Sequence, residues 1–131
     1  MPSWKKVIIS GSNAALNDVN LTGELDIDTT KLRTYENNGI ITGTNVVGSF
    51  PTSEGNGANF EYVIKSTVDY RVGQIMAVWD GVDVFYNEVT TIDLGNTTDI
   101  ILQVDIAAGN VRLIADSLSS GWTVKALAKV L

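Results

Sequence analysis

From Phe60 to Leu131 apolar side chains return at every second residue, the period of a strand with one buried face. Phe60, Tyr62 and Ile64 alternate with Glu61, Val63 and Lys65. Ile100, Leu102, Val104 and Ile106 alternate with Ile101, Gln103 and Asp105. Trp122, Val124, Ala126, Ala128 and Val130 alternate with Thr123, Lys125, Leu127 and Lys129. Nowhere does a window of about 11 residues carry the 3.6-residue period of an amphipathic helix. Strands spaced by Gly, Asn and Asp turns predict an all-β chain, an antiparallel β-sandwich of jelly-roll type, with strands over 60–66, 73–79, 82–87, 100–107, 111–115 and 122–130.

The phase of these strands selects a core: Ile75, Ala77, Trp79, Val84, Leu102, Val104, Ile106, Val111, Leu113, Trp122 and Val124. Two turns stand out. Gly109-Asn110 separates the strand ending in "QVDIAA" from "VRLIA", and Asp80-Gly81 is a strong hairpin signal, since Gly and Asp tolerate the positive φ of a tight turn. A two-residue turn there pairs Trp79 with Val82, Ala77 with Val84 and Ile75 with Tyr86 on one face. The other face holds Val78 opposite Asp83 and Met76 opposite Phe85. That second face is only half polar. An antiparallel sheet normally keeps one face wet, so Met76, Val78 and Phe85 are expected to meet another subunit or an N-terminal arm.

The first half has a different texture. Only Trp4, Tyr35 and Phe50 are aromatic before Asn59, and "NNGIITGTN" and "TSEGNGAN" are turn-forming clusters. "WKKVIIS" reads as a short strand. "LNDVNLTGELDID" reads as brief extended pieces, suited either to an arm that leans on its neighbours or to a meander of the same domain. The expected division is residues 1–58 as an N-terminal strand and extended, shaft-like arm, and residues 59–131 as the sandwich core, the two together forming one structural unit. Asn- and Gly-rich segments with few apolar residues do not repay their ordering entropy alone, which adds Trp4, Val7 and Ile9 to the expected oligomer contacts.

Chemistry is constrained by what is missing. There is no cysteine and no histidine, which removes disulfides, Cys/His zinc sites, thiol nucleophiles and imidazole acid/base catalysis. The net charge of −6 and the scattered cations disfavour nucleic acid as a partner. No apolar run approaches the ~20 residues of a membrane-spanning helix, and no signal-peptide stretch opens the chain, so no membrane insertion is expected. The carboxylate pairs Asp26/Asp28, Asp80/Asp83 and Asp99/Asp105 fit solvent-facing strand and turn positions better than a catalytic or calcium-binding pair. No cofactor and no enzymatic activity are expected. Trp79, Tyr86 and Trp122 could stack against sugars, but their in-phase apolar neighbours place them in the core; Trp4 and Tyr70 are better placed for a contact surface.

"SWKKVIISGSNAALNDVNLTGEL" resembles the opening of virion structural proteins from tailed phages of marine bacteria. "FEYVIK", "RVGQIMAVWDG", "VDVFYNEVTTIDLGNTTDIILQVDIAAGNVRLIA" and "WTVKALAKVL" are similar to the terminal β-domain of the same group, which includes tail-fibre proteins. The resemblance implies a non-enzymatic virion component made in the host cytoplasm, commonly a homotrimer, contacting copies of itself, other virion proteins and, at a receptor-binding tip, a host surface glycan. Long fibres carry an extended shaft between the two stretches, whereas here they almost abut. That points to a short tip, an adaptor or a capsid-decorating protein. The alternative is a carbohydrate-binding β-sandwich module.

Overall fold

The structure, a computed structural model, describes residues 17–131. Nine strands follow in order: β1 (Glu24–Ile27), β2 (Thr30–Ile40), β3 (Gly43–Pro51), β4 (Gly57–Lys65), β5 (Tyr70–Trp79), β6 (Val84–Thr90), β7 (Ile100–Ala107), β8 (Asn110–Ser117) and β9 (Trp122–Val130). Among the described residues the only helical piece is one 3-10 turn at Thr52–Glu54. All pairings are antiparallel. A six-stranded sheet has the order β1-β2-β9-β4-β5-β6, and a three-stranded sheet the order β3-β8-β7. The sandwich expected from the alternation is therefore present. Consecutive strands β2 and β3 pair with β9 and β8 respectively, the sheet-to-sheet crossing that jelly rolls use, while β4-β5-β6 and β7-β8 are simple hairpins.

The two inner faces bury one apolar core. Phe60, Ile64, Ile75, Val124 and Val130 come from the large sheet, and Ile100, Val111 and Leu113 from the small one. Phe50 on β3 reaches across to the rings of Phe60 and Trp79, 6.2 and 5.6 Å away between centroids. Of the core read from the sequence, Val84 and Ile106 are half-buried against the cluster and the rest are buried.

Both turns differ from expectation. The β5–β6 connection is four residues long: Trp79 pairs with Val84, and the Asp80 carboxylate accepts hydrogen bonds from the backbone N–H groups of Val82 (3.0 Å) and Asp83 (2.9 Å). Asp80 caps the turn with its side chain instead of occupying a central position of a two-residue loop. In β7–β8 the central residues are Ala108 and Gly109, with φ of 51° and 76°, and Asn110 already pairs with Ala107. The β5–β6 pairing is displaced by two residues, so every side chain keeps its expected face.

Residues 30–51 lie inside the segment read as an arm, yet they are woven into both sheets, and Ile40, Val47 and Phe50 are core. The inner face of β2 explains why no apolar period marked it: Arg33, Tyr35 and Asn37 point inward opposite Ala128, Ala126 and Val124. Their polar groups find partners where the sheets meet. Tyr35 donates to the Ser49 carbonyl (3.2 Å), Asn37 to that of Val46 (3.0 Å), and the Arg33 guanidinium sits 5.7 Å from the Phe50 ring centre. Gly48 is required there, because a Cβ would stand 2.2 Å from the Tyr35 ring. Asp26 and Asp28 do not share a strand face as expected. Asp26 pairs with Lys31 at 3.2 Å, and Asp28 occupies the β1–β2 turn at φ 56°.

Candidate interaction surface

The small sheet has half the strands of the large one, and β6 lies at the large sheet's edge with every residue but Val84 exposed. Rows across the outer face follow from the registers. Val78 stands between Gly57 and Phe85; Met76 stands between Asn59 and Asn87. The three hairpin residues expected at a contact are thus brought together at one corner. Met76, Val78 and Phe85 are 54, 57 and 73% exposed, and they line a groove of about 410 Å³ with Ala77, Tyr86 and Asn87. Gly57 adds no side chain to the row, so the patch borders bare backbone. Trp4, Val7 and Ile9 lie outside the described residues.

The corner is anchored from below. Tyr62 on β4 runs its ring over Gly73 of β5 and donates its hydroxyl proton to the Glu88 carboxylate on β6. Burial, and then the carboxylate beside it, push the Tyr62 hydroxyl well above its ordinary pKa, so it stays protonated and remains a donor at all physiological pH values. Gly73 makes the crossing possible: a Cβ there would meet the Tyr62 hydroxyl oxygen at 2.3 Å. A buried tyrosine spanning three strands therefore fixes the edge strand to the middle of the sheet.

Sequence reading missed three neighbours of this surface. Val82 at the hairpin tip and Val89 on the outer face of β6 are exposed, and so is Ile92 just beyond. Val89 was legible: it shares the parity of Phe85. Tyr70, expected at a contact surface, is exposed and pairs with Leu94 through an isolated bridge, beside exposed Val68. Trp79 and Trp122 are buried, with indole N–H groups donated to the Thr52 carbonyl and the Ser119 hydroxyl, whereas Tyr86, expected in the core with them, is exposed on the edge strand.

Asp80 and Asp105 serve structure. Arg112 grips Asp105 with Nε and Nη2 at 2.7 and 2.5 Å, and Asp80 is spent on its turn, where those backbone N–H groups hold its carboxyl below the usual range. Among the described residues no three Cys, His, Asp or Glu side chains converge as a metal site. At the end of the sandwich away from the hairpin tip, Ser66, Thr67, Asp69, Asn96, Asp99, Ser119 and Trp122 help line a polar groove of about 420 Å³. Asp69 is tied within it, accepting from the Ser66 hydroxyl (2.9 Å) and the Asn96 N–H (2.8 Å).

No protein-family model matches the chain, and no curated protein matches it significantly. Among solved structures it is similar to the tailspike protein of Acinetobacter baumannii phage AM24, at 10% identity and a TM-score of 0.44. That match covers 77% of this chain and 26% of the tailspike.

Proposed function

We propose that the protein is a non-enzymatic structural part of a phage virion, an assembly unit of tip, adaptor or capsid-decorating type that joins further copies of itself and neighbouring virion proteins. The reading rests on the sequence motifs that resemble virion proteins. It is carried structurally by one observation: Val78 and Phe85 stand directly opposite each other on the outer face, both more than half exposed, with Met76 beside them. An apolar pair at the corner of a sheet, rimmed by Asn59 and Asn87, has the make-up of an interface core inside a polar rim.

The test is Val78→Asp. On this reading the carboxylate is forced into a dry contact, and the mass in light scattering falls below that of the unmodified protein while the β-sheet circular dichroism is kept. An unchanged mass and melting temperature would refute the reading. The polar groove at the far end supports a second one, a glycan-binding module, because its hydroxyl, amide and carboxylate groups suit a polyhydroxylated ligand. A glycan array separates the two: sugar binding lost on Asp99→Ala, with a monomeric mass throughout, favours the module.

A further inference from the structure

Among the described residues β6 presents a free backbone edge as well as an apolar face. Thr91 donates its N–H to the Val72 carbonyl (2.9 Å) and Asp80 to that of Asp83 (3.3 Å), which fixes the hydrogen-bond parity of the β5–β6 ladder. Odd-numbered residues of β6 point their N–H and C=O groups at β5; those of Val84, Tyr86, Glu88 and Thr90 point outward. Natural sheets guard such edges with short strands, bulges, prolines or charges. Two of the other three edges show such guards, and the third is less exposed. β1 has four residues with Glu24 and Asp26 held by Lys31. β3 is broken by a bulge between Val46 and Gly48 and ends at Pro51. β7 is buried or half-buried at all but Ile101. β6 runs seven residues, Val-Phe-Tyr-Asn-Glu-Val-Thr, with neither proline nor lysine and a single charge.

We infer that β6 pairs antiparallel with β6 of a second copy of this chain about a two-fold axis at Asn87, joining two six-stranded sheets into one. The inference rests on the assembly reading above and names the partner and the register. Charge selects that register. With Asn87 facing Asn87 of the second copy, all seven residues pair, Glu88 faces Tyr86, and Phe85 faces Val89 on the outer side, which extends the patch of Met76 and Val78 across the junction. A slip of two residues one way sets Glu88 against Glu88. A slip the other way sets Asp83 against Val89 and leaves strand residues unpaired. Like charges directly opposite each other, or a carboxylate against an apolar partner, disfavour both slips. At the axis, each Asn87 amide can donate to the carbonyl of the other.

The chain has no cysteine, so single introduced thiols report the register directly. Residue 87 forms a non-hydrogen-bonded pair with itself, at a Cα separation of about 4.5 Å, within disulfide range. Residue 89 would lie roughly 13 Å from its own copy. Asn87→Cys should therefore give a reducible, covalently linked pair under mild oxidation at least roughly tenfold faster than Val89→Cys. The double variant Phe85→Cys, Val89→Cys should cross-link where neither single variant does, a second readout should residue 87 tolerate no thiol. Light scattering of the unmodified protein should show an even number of copies. An oligomer in which residues 87 and 89 cross-link equally, or neither does, overturns the edge pairing and leaves the assembly reading standing. A monomer overturns both.

Discussion

Gly73→Ala adds one methyl group at the point where the sandwich holds its edge strand in place. The Cβ would stand 2.3 Å from the Tyr62 hydroxyl oxygen, 2.4 Å from the carbon that bears it and 2.7 Å from a neighbouring ring carbon. Distances under 3 Å require movement. The ring is 3% exposed, and its hydroxyl is committed to Glu88, so it cannot swing into solvent without emptying its own site. Overpacking of this kind costs about 1–3 kcal/mol. If the ring tilts far enough to release Glu88, a hydrogen bond to a charged group, worth about 1.5–3 kcal/mol, is lost as well. Against this, alanine in a strand interior gains about 0.5–1 kcal/mol over glycine. The net expectation is a loss of roughly 2–4 kcal/mol. Urea denaturation followed by tryptophan fluorescence at fixed protein concentration measures it. The sharper assay is a cycle with Tyr62→Leu, which removes the obstructing ring: in that background Gly73→Ala should be neutral or slightly stabilising, a coupling of contacting residues that additivity forbids. A loss below about 1 kcal/mol in the wild-type background, or the same loss in both backgrounds, would refute the reasoning.

Two other outcomes follow from local geometry. Ala108 holds φ at 51° in the β7–β8 turn, where Asn is better tolerated, so Ala108→Asn should raise stability by about 0.5–1 kcal/mol in the same urea assay, and a destabilised variant would contradict the turn assignment. Acidification should lower the melting temperature progressively from about pH 5 towards pH 2, because hydrogen bonds from Lys31 and then Arg33 hold the Glu24 carboxyl down at about 2, and Asp80 and Asp93 also lie below their ordinary values. A carboxyl depressed in the folded state takes up its proton first in the unfolded chain, so its contribution is present above the ordinary pKa and fades below it. A melting temperature flat across that window would show that these pairs do not hold in solution.

The strands from β4 onward could be read from the sequence because their cores are apolar on one parity, and parity survives errors in turn length. At β5–β6 the loop is two residues longer than Asp80-Gly81 implied, yet Ile75, Ala77 and Trp79 still face inward, and Met76, Val78 and Phe85 still face out. Side-chain period is a local property of an extended chain, so a sequence can fix it. The roles of β2 and β3 were not legible. Their inward positions include Arg33, Tyr35 and Asn37, whose polar groups become acceptable only where the Glu54 carboxylate and the backbone carbonyls of Ser49 and Val46 come within reach. That proximity exists only once the two sheets have closed on each other. The Tyr62-Gly73-Glu88 crossing likewise joins three strands that no local pattern connects. Which apolar face stayed uncovered among the described residues was decided last: the alternation marked Val78 and Phe85 as outward, but only the pairing of three strands against six left the β6 edge open beside them there.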